Sequence, residues 1–295
     1  MKQFERALSD FDKAIELNPN NFEAYNNRGF IYNSLKQYER AIKDFDKAIE
    51  INPNSEAPYI SRAVSYDCLG QYKQAIKDSD KAVELNPNSI AGYINRGVSY
   101  CNLGLYEQAV RDYSKIIELE PNNFEAYNNR AVCYCNLKQF ELAVKDYSKS
   151  VELAPYFSET YNNRSTAYSD LGQYEQAIQD CNIALKLNSK NASAYNNRGV
   201  AYSHLKQYEF FIPDYDKAIK LNPNYAEAYY NRALDYAALG QYEPAVKDLD
   251  RTVELNPKDA KTYKIRGTIY QKLCEEIMTE AQADFKKAKE LGYKD

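Results

Sequence analysis

Eight arginines stand 34 residues apart, at Arg28, Arg62, Arg96, Arg130, Arg164, Arg198, Arg232 and Arg266. Sixteen residues after each of the first seven comes an aspartate: Asp44, Asp78, Asp112, Asp146, Asp180, Asp214 and Asp248, with Asp10 one period before Asp44. A guanidinium presents a planar fork of donors that suits carboxylates and phosphates, so two chemistries fit this pattern. One is a row of anion-binding sites. The other is a set of internal ion pairs, bidentate and partly buried, such as Arg28–Asp44, Arg130–Asp146 and Arg198–Asp214. An arginine identical in every period beside an equally regular aspartate favours the internal pair. After Arg266 the matching acid is Asp284, two residues late, which predicts a longer turn before it.

Other reactive side chains are sparse. His204 is the only histidine, and no nucleophile elbow or glycine-rich phosphate loop accompanies it. The six cysteines (68, 101, 133, 135, 181 and 274) form no Cys-x-x-Cys and share no spacing, so reduced thiols are expected rather than disulfides or a zinc site. Cys133 and Cys135, separated by one residue on a helix, point to different sides. The sequence therefore predicts no catalytic residue, no metal site and no cofactor.

The elements that carry these residues repeat with the same period. Pro19, Pro53, Pro87, Pro121, Pro155, Pro223 and Pro257 keep the 34-residue step, with Ser189 at the one skipped place. A period held this long means one structural unit copied end to end. Numbering each unit from Phe22, full units start at 22, 56, 90, 124, 158, 192, 226 and 260, and residues 1–21 read as the second half of a unit. Position 4 is always Tyr (Tyr25 to Tyr263), position 11 is always Tyr, and position 14 is always Leu. With a small residue at position 8, these trace one helical face. A second apolar set at positions 17, 20, 24, 27, 28 and 30, as in Tyr38, Ala41, Phe45, Ala48, Ile49 and Ile51, traces another. Mostly Lys-Gln or Gly-Gln separates the two, and Asn-Pro-Asn ends the second helix, because proline disfavours α geometry at the residue before it. Each unit is a pair of short helices, marginal alone, so stability must come from neighbouring units. The expectation is one continuous solenoid through residue 295, beginning mid-repeat as an excised fragment or an open end would.

Composition narrows the function further. Lys plus Arg is 38 against 42 Asp plus Glu, a net charge of −4, which favours neither nucleic acid nor an anionic membrane. The amino terminus meets Lys2, Glu5 and Arg6 at once, so no secretory h-region is predicted. No stretch approaches the ~20 apolar residues that span a bilayer. A soluble, cytoplasmic chain is the expectation.

The unit pattern resembles the tetratricopeptide repeat, whose signature has an aromatic at 4, a small residue at 8, Tyr at 11, aromatics at 17 and 24, Ala at 20 and 27, and Pro at 32. Tyr127, Ala131, Tyr134, Phe140, Ala143, Tyr147 and Pro155 meet it, with Ser150 in place of the Ala at 27. The resemblance implies an all-α fold, a right-handed superhelical solenoid of antiparallel helix pairs. It also implies a non-catalytic protein-interaction scaffold that binds a peptide or partner protein in a concave groove. In that groove, positions 2, 5, 6, 9, 12 and 13 of the first helices would face the ligand. Position 6 carries Asn27, Asn95, Asn129, Asn163, Asn197 and Asn231, and position 5 adds Asn26, Asn128, Asn162 and Asn196. Carboxamides both donate and accept, matching the main chain of an extended peptide. The row is similar to the asparagine ladder of the superhelical domain of O-GlcNAc transferase. The alternative is that these amides hydrogen-bond the neighbouring unit and maintain the stack. Position 9 is mostly apolar (Phe30, Val64, Val98, Val132, Val200, Leu234), and Lys261, Lys264 and Lys272 make one end basic. The carboxylate clamp of chaperone-binding family members is incomplete: Asn231 and Lys261 fit, whereas Asn196, Val200 and Ile265 do not.

The resemblance leaves other roles open, namely self-assembly through the ends of the solenoid, or a targeting module of a larger enzyme. The unit starting at 192 departs from its template. Phe211 stands where a small residue is expected, and Pro213 sits inside the second helix. Drift in a redundant array is one reading; the other is a functional kink or a partner contact around Phe210 and Phe211.

Overall fold

The computed structural model describes residues 2–290. Among these the fold is all-α and forms two compact units, one ending at Pro155 and the other starting at Tyr156. The first unit contains α1 (Lys2–Leu17), α2 (Phe22–Ser34), α3 (Tyr38–Ile51), α4 (Glu56–Cys68), α5 (Tyr72–Leu85), α6 (Ile90–Asn102), α7 (Tyr106–Leu119), α8 (Phe124–Asn136) and α9 (Phe140–Leu153). The second contains α10 (Ser158–Asp170), α11 (Tyr174–Leu187), α12 (Ala192–His204), α13 (Tyr208–Leu221), α14 (Ala226–Ala238), α15 (Tyr242–Leu255) and α16 (Ala260–Glu290). Within each unit, successive helices pack against one another.

Local chemistry sets the helix ends. Asn21, Ser89, Asn123 and Asn191 cap first helices, each side chain accepting from a backbone N–H three residues on. The hairpin turn between paired helices needs a left-handed residue at position 15. Gly70, Gly104, Gly172 and Gly240 supply it with φ of 71°, 73°, 72° and 74°, and Lys36, Lys138 and Lys206 accept it at φ of 59°, 58° and 56°, at some cost for a residue with a Cβ. At the other end, the residue before the proline that follows a second helix leaves α geometry, as Asn52 does at φ −135° and ψ 86° and Glu120 at φ −132° and ψ 82°.

Small residues at helix crossings make the close packing possible. Ala41, Ala75, Ala109, Ala143, Ala177 and Ala245 at position 20 are fully buried. At position 24, Phe45, Tyr113 and Tyr215 lie on the position-8 glycines of the same pair. A Cβ at Gly29 would come 2.7 Å from Phe45, one at Gly97 3.0 Å from Tyr113, and one at Gly199 2.8 Å from Tyr215.

Two local expectations need correction. α13 continues as helix on both sides of Pro213, which forgoes a backbone hydrogen bond near the helix start, and the first correction concerns nearby Phe211. Phe211 is buried, edge-on to Tyr208 at 5.8 Å and 6.3 Å from Tyr215, and of the two phenylalanines only Phe210 is exposed. Phe211 is therefore a core residue and not a surface contact.

The second correction concerns residues 260–290, expected as a helix pair but forming the single helix α16. The reason lies at the would-be turn. Where other units place Gly-Gln, Lys-Gln or, once, Gly104-Leu105 after the position-14 leucine, Leu273 is followed by Cys274, Glu275, Glu276 and Ile277. None of these favours a left-handed conformation, and the glutamates favour continuing the helix. Asp284 is consequently exposed on the far part of α16, and Arg266 instead donates from Nη1 to Asp250 Oδ1 at 2.7 Å.

Candidate functional site

The arginine row is built into the helix pairs. Arg28 donates from Nε to Asp44 Oδ2 (2.8 Å) and from Nη2 to Asp44 Oδ1 (2.6 Å). The same fork joins Arg62 to Asp78, Arg96 to Asp112, Arg130 to Asp146, Arg164 to Asp180, Arg198 to Asp214 and Arg232 to Asp248. These aspartates are buried. In several units the third donor, Nη1, reaches back to the preceding second helix: Arg28 to Asp12 (2.6 Å), Arg96 to Asp80 (2.7 Å), Arg130 to Ser114 (2.9 Å), Arg198 to Asn182 (2.6 Å), and Arg232 to Asp216. Each of these five guanidinium groups thus joins a helix pair internally and to its predecessor. Position-4 tyrosines lie under the cations, with Arg28 5.5 Å from the Tyr25 ring centre and Arg130 5.7 Å from that of Tyr127, adding cation–π attraction.

Electrostatics agree with this geometry. Hydrogen bonding to Asp112 holds the Arg96 guanidinium above its ordinary range despite the opposing cost of burial. Burial pushes the Asp112 carboxyl up, and the hydrogen bonds and charge of Arg96 pull it back. Arginine stays charged throughout the accessible pH range, and its bidentate fork favours the ionised form of the carboxylate it faces. With both Asp oxygens occupied and the fork closed, these arginines offer no open anion site.

The asparagines fall at the junctions between consecutive first helices. In the first unit, Asn95 Nδ2 donates to the Ile60 carbonyl at 3.2 Å, and Asn128 Nδ2 donates to Asn129 Oδ1 at 3.3 Å. Asn27 is exposed, and the buried Oδ1 atoms of Asn26 and Asn128 accept no hydrogen bond among the described residues. In the second unit the amides form a chain. Asn197 Nδ2 donates to Asn162 Oδ1 and Thr166 Oγ1, both at 3.1 Å, and Asn231 Nδ2 donates to Asn196 Oδ1 at 3.1 Å. Asn196 is fully buried and donates to Asn197 at 3.4 Å. Asn163 is half-buried. Lys261 and Lys264 are exposed, and Lys261 Nζ lies 5.2 Å from the ring centre of Tyr230.

A second polar rung escaped the sequence reading. Position 12 of one first helix meets position 10 of the next: Ser65 Oγ donates to Asn33 Oδ1 at 2.7 Å, Ser99 Oγ to Asp67 Oδ1 at 2.8 Å, and Ser203 Oγ to Asp235 Oδ1 at 2.5 Å. Cys101 and Cys133 occupy the same relation, their sulfurs 3.2 Å apart. All four pairs are 32 residues apart in sequence, a spacing visible in the chain once the polar residues at positions 10 and 12 are compared across units.

With many of the amides turned inward, position 9 contributes apolar side chains to the open face of the first helices. Phe30 is 62% exposed, Val64 38% and Leu234 37%, while Val98, Val132 and Val200 are half-buried. Residues three apart share a helical face, so Phe30, Val98, Val132, Val200 and Leu234 sit beside position-6 asparagines, and Val64 beside Ser61.

His204 stacks on Tyr174, centroids 4.5 Å apart and planes 5° from parallel. Among the described residues, no group of three or more His, Cys, Asp or Glu side chains is placed to hold a metal ion, and no helix is long and apolar enough to cross a membrane.

The repeating helix pairs, position by position, coincide with a known family. The tetratricopeptide repeat profile matches residues 22–55, 90–123, 124–157, 192–225 and 226–259, and related repeat profiles match 1–36, 166–206, 45–77 and 147–179. The chain belongs to the tetratricopeptide repeat family. This family is generally a non-catalytic fold that serves protein–protein interaction. No curated protein matches the chain. Among solved structures, similarity extends to a tetratricopeptide repeat protein from Parabacteroides merdae (TM-score 0.70, 17% identity, covering 84% of this chain and 98% of that one). It extends also to the Cut9–Hcn1 hetero-tetramer of the APC/C (TM-score 0.67, 19% identity, 90% of this chain). This tetratricopeptide repeat chain spans 52% of the length of the latter. At these identities the likeness concerns the fold. MamA is also similar over 59% of this chain (TM-score 0.50, 26% identity, 96% of MamA).

Proposed function

We propose that this chain is a non-catalytic scaffold that holds an extended peptide or a partner's extended segment on the exposed faces of its first helices. The supporting observation is the apolar side chains exposed at position 9, led by Phe30 at 62% exposure, on first helices that also expose polar groups such as Asn27. Apolar groups in water beside amides form the surface an extended segment needs, with side-chain contacts for affinity and amides for its backbone. The amides divide in two. Asn95, Asn196, Asn197 and Asn231 bond to neighbouring helices or to one another, so their first role is structural. Asn27 is exposed beside Phe30 and is the amide placed for a ligand. Six cysteines, none of them in a disulfide among the described residues, suit a reducing compartment such as the cytoplasm, and the acidic net charge suits a protein ligand better than nucleic acid.

The test is selection from a random displayed-peptide library against the whole chain, followed by affinity measurement with Phe30→Ser/Val64→Ser. Peptides that bind the native chain and lose at least about tenfold in affinity for an equally well folded variant support the reading. Failure to select any peptide, or equal affinity for both chains, contradicts it.

A further inference from the structure

We propose that this chain forms a two-fold dimer in which α16 packs antiparallel on α16 of a second copy. One arginine of the row lacks the packing that the other units complete. Arg266 occupies position 7, as do the seven forked arginines, but among the described residues its only carboxylate is Asp250, held through Nη1. The Nε and Nη2 edge, which grips an aspartate in the seven preceding units, faces no acid among the described residues. The next residue repeats the theme. Gly29, Gly97 and Gly199 each lie under an aromatic ring within 3.0 Å of where a Cβ would stand, whereas a Cβ at Gly267 would meet nothing within 4 Å.

The missing complement is on the same helix. Measured from Asp284 as position 23, Met278, Ala281, Phe285 and Ala288 fall at positions 17, 20, 24 and 27, the apolar face of a second helix. That face is open: Met278 is 62% and Phe285 70% exposed. α16 cannot satisfy itself while straight, because Asp284 lies 18 residues beyond Arg266, about 27 Å along the axis. A second straight α16, antiparallel and related by a two-fold axis near residue 275, brings each Arg266 to the other copy's Asp284. The same register sets each Phe285 on the other copy's Gly267. This is an isologous contact, in which each surface meets its own copy with both pairs made twice. Charge selects the register and the apolar face supplies the burial. Exchange of a helix that would otherwise close on its own chain is a low-cost route to such a dimer.

This contact is independent of ligand binding on the first-helix faces, since neither Phe30 nor Val64 takes part. The experiment is the mass of the whole chain by light scattering and sedimentation equilibrium across the micromolar range, with folding checked by circular dichroism. The native chain is expected to approach twice 34.0 kDa. Arg266→Asp and Asp284→Arg should each raise the dissociation constant on the order of 100-fold. An equimolar mixture of the two variants should recover the dimer. In the mixed pair, the aspartate introduced in one variant faces the arginine introduced in the other, and the remaining native Asp284 faces the remaining native Arg266. A further variant restores the hairpin turn by Cys274→Gly and Ile277→Gln with Glu275 and Glu276 deleted. It should close Asp284 onto its own Arg266 and be monomeric. A native chain that stays monomeric, a mixture that stays monomeric, or a dimer that survives the single charge reversals or the restored turn overturns the proposal.

Discussion

α2 and α16 begin with the same motif and meet different fates. In α2, Arg28 and Gly29 close against Asp44 and Phe45 of α3. In α16, Arg266 and Gly267 present the same chemistry, yet the chain continues as helix past the point where it should return. The difference arises from the turn. Lys36-Gln37 lets the chain reverse with a left-handed residue at φ 59°, whereas Cys274-Glu275-Glu276-Ile277 has no such residue and good helix formers instead. A few turn residues decide whether an arginine becomes an internal strut or keeps an unfilled fork, while the packing residues on either side remain in their template places.

Removing the arginine in each setting separates the two most widely. Arg130→Ala should cost about 3–5 kcal/mol, because it strands the buried Asp146 carboxylate. Arg266→Ala, whose Asp250 partner is half-exposed, should change the stability of the monomer by less than about 1 kcal/mol. Denaturant unfolding at a concentration that keeps the chain monomeric checks both. Equal losses would dissolve the distinction.

Glycine to alanine should split in sign between the two regions. Gly29→Ala puts a Cβ 2.7 Å from Phe45 and should destabilise by about 1–3 kcal/mol. Gly267→Ala meets nothing within 4 Å and should stabilise the monomeric helix by up to about 1 kcal/mol. Chemical denaturation of the two variants side by side reads the signs.

Two smaller effects probe the regular pairs. Ser79 occupies the position held by Phe45 or Tyr113 elsewhere, and its buried Oγ has no hydrogen-bond partner among the described residues. Ser79→Ala should therefore stabilise the fold by about 1 kcal/mol, seen as a higher midpoint of denaturant unfolding. Lys138→Gly should relieve the positive φ of 58° at the turn between α8 and α9 and contribute about 1 kcal/mol, seen as a higher thermal midpoint.

These particulars show how far the sequence could be read. The proline step and the tyrosines at positions 4 and 11 define helix pairs because each acts locally, on the chain beside it. The positions of Arg28 and Asp44 could be matched because a strict period fixes which faces meet. Phe211 was less legible, since a position-20 side chain larger than alanine declares its volume but not whether the surrounding tyrosines make room. The polar rungs from Asn33 to Ser65 and from Ser203 to Asp235 depend on how neighbouring first helices are offset, which no single repeat contains. The role of the asparagines was divided for the same reason. Asn197 and Asn231 find amide oxygens on the preceding first helix, whereas Asn27 stays exposed.

If first helices present the binding face, a bound ligand must shield them and leave the second helices as they were. Hydrogen–deuterium exchange of the whole chain, with and without a library-selected peptide, reads this helix by helix. Added protection is expected in α2 and α4 around Phe30 and Val64, with the outward faces of α3 and α5 unchanged. Protection confined to α3 and α5, with α2 and α4 unaffected, would place the ligand on the opposite surface and refute the proposed binding face.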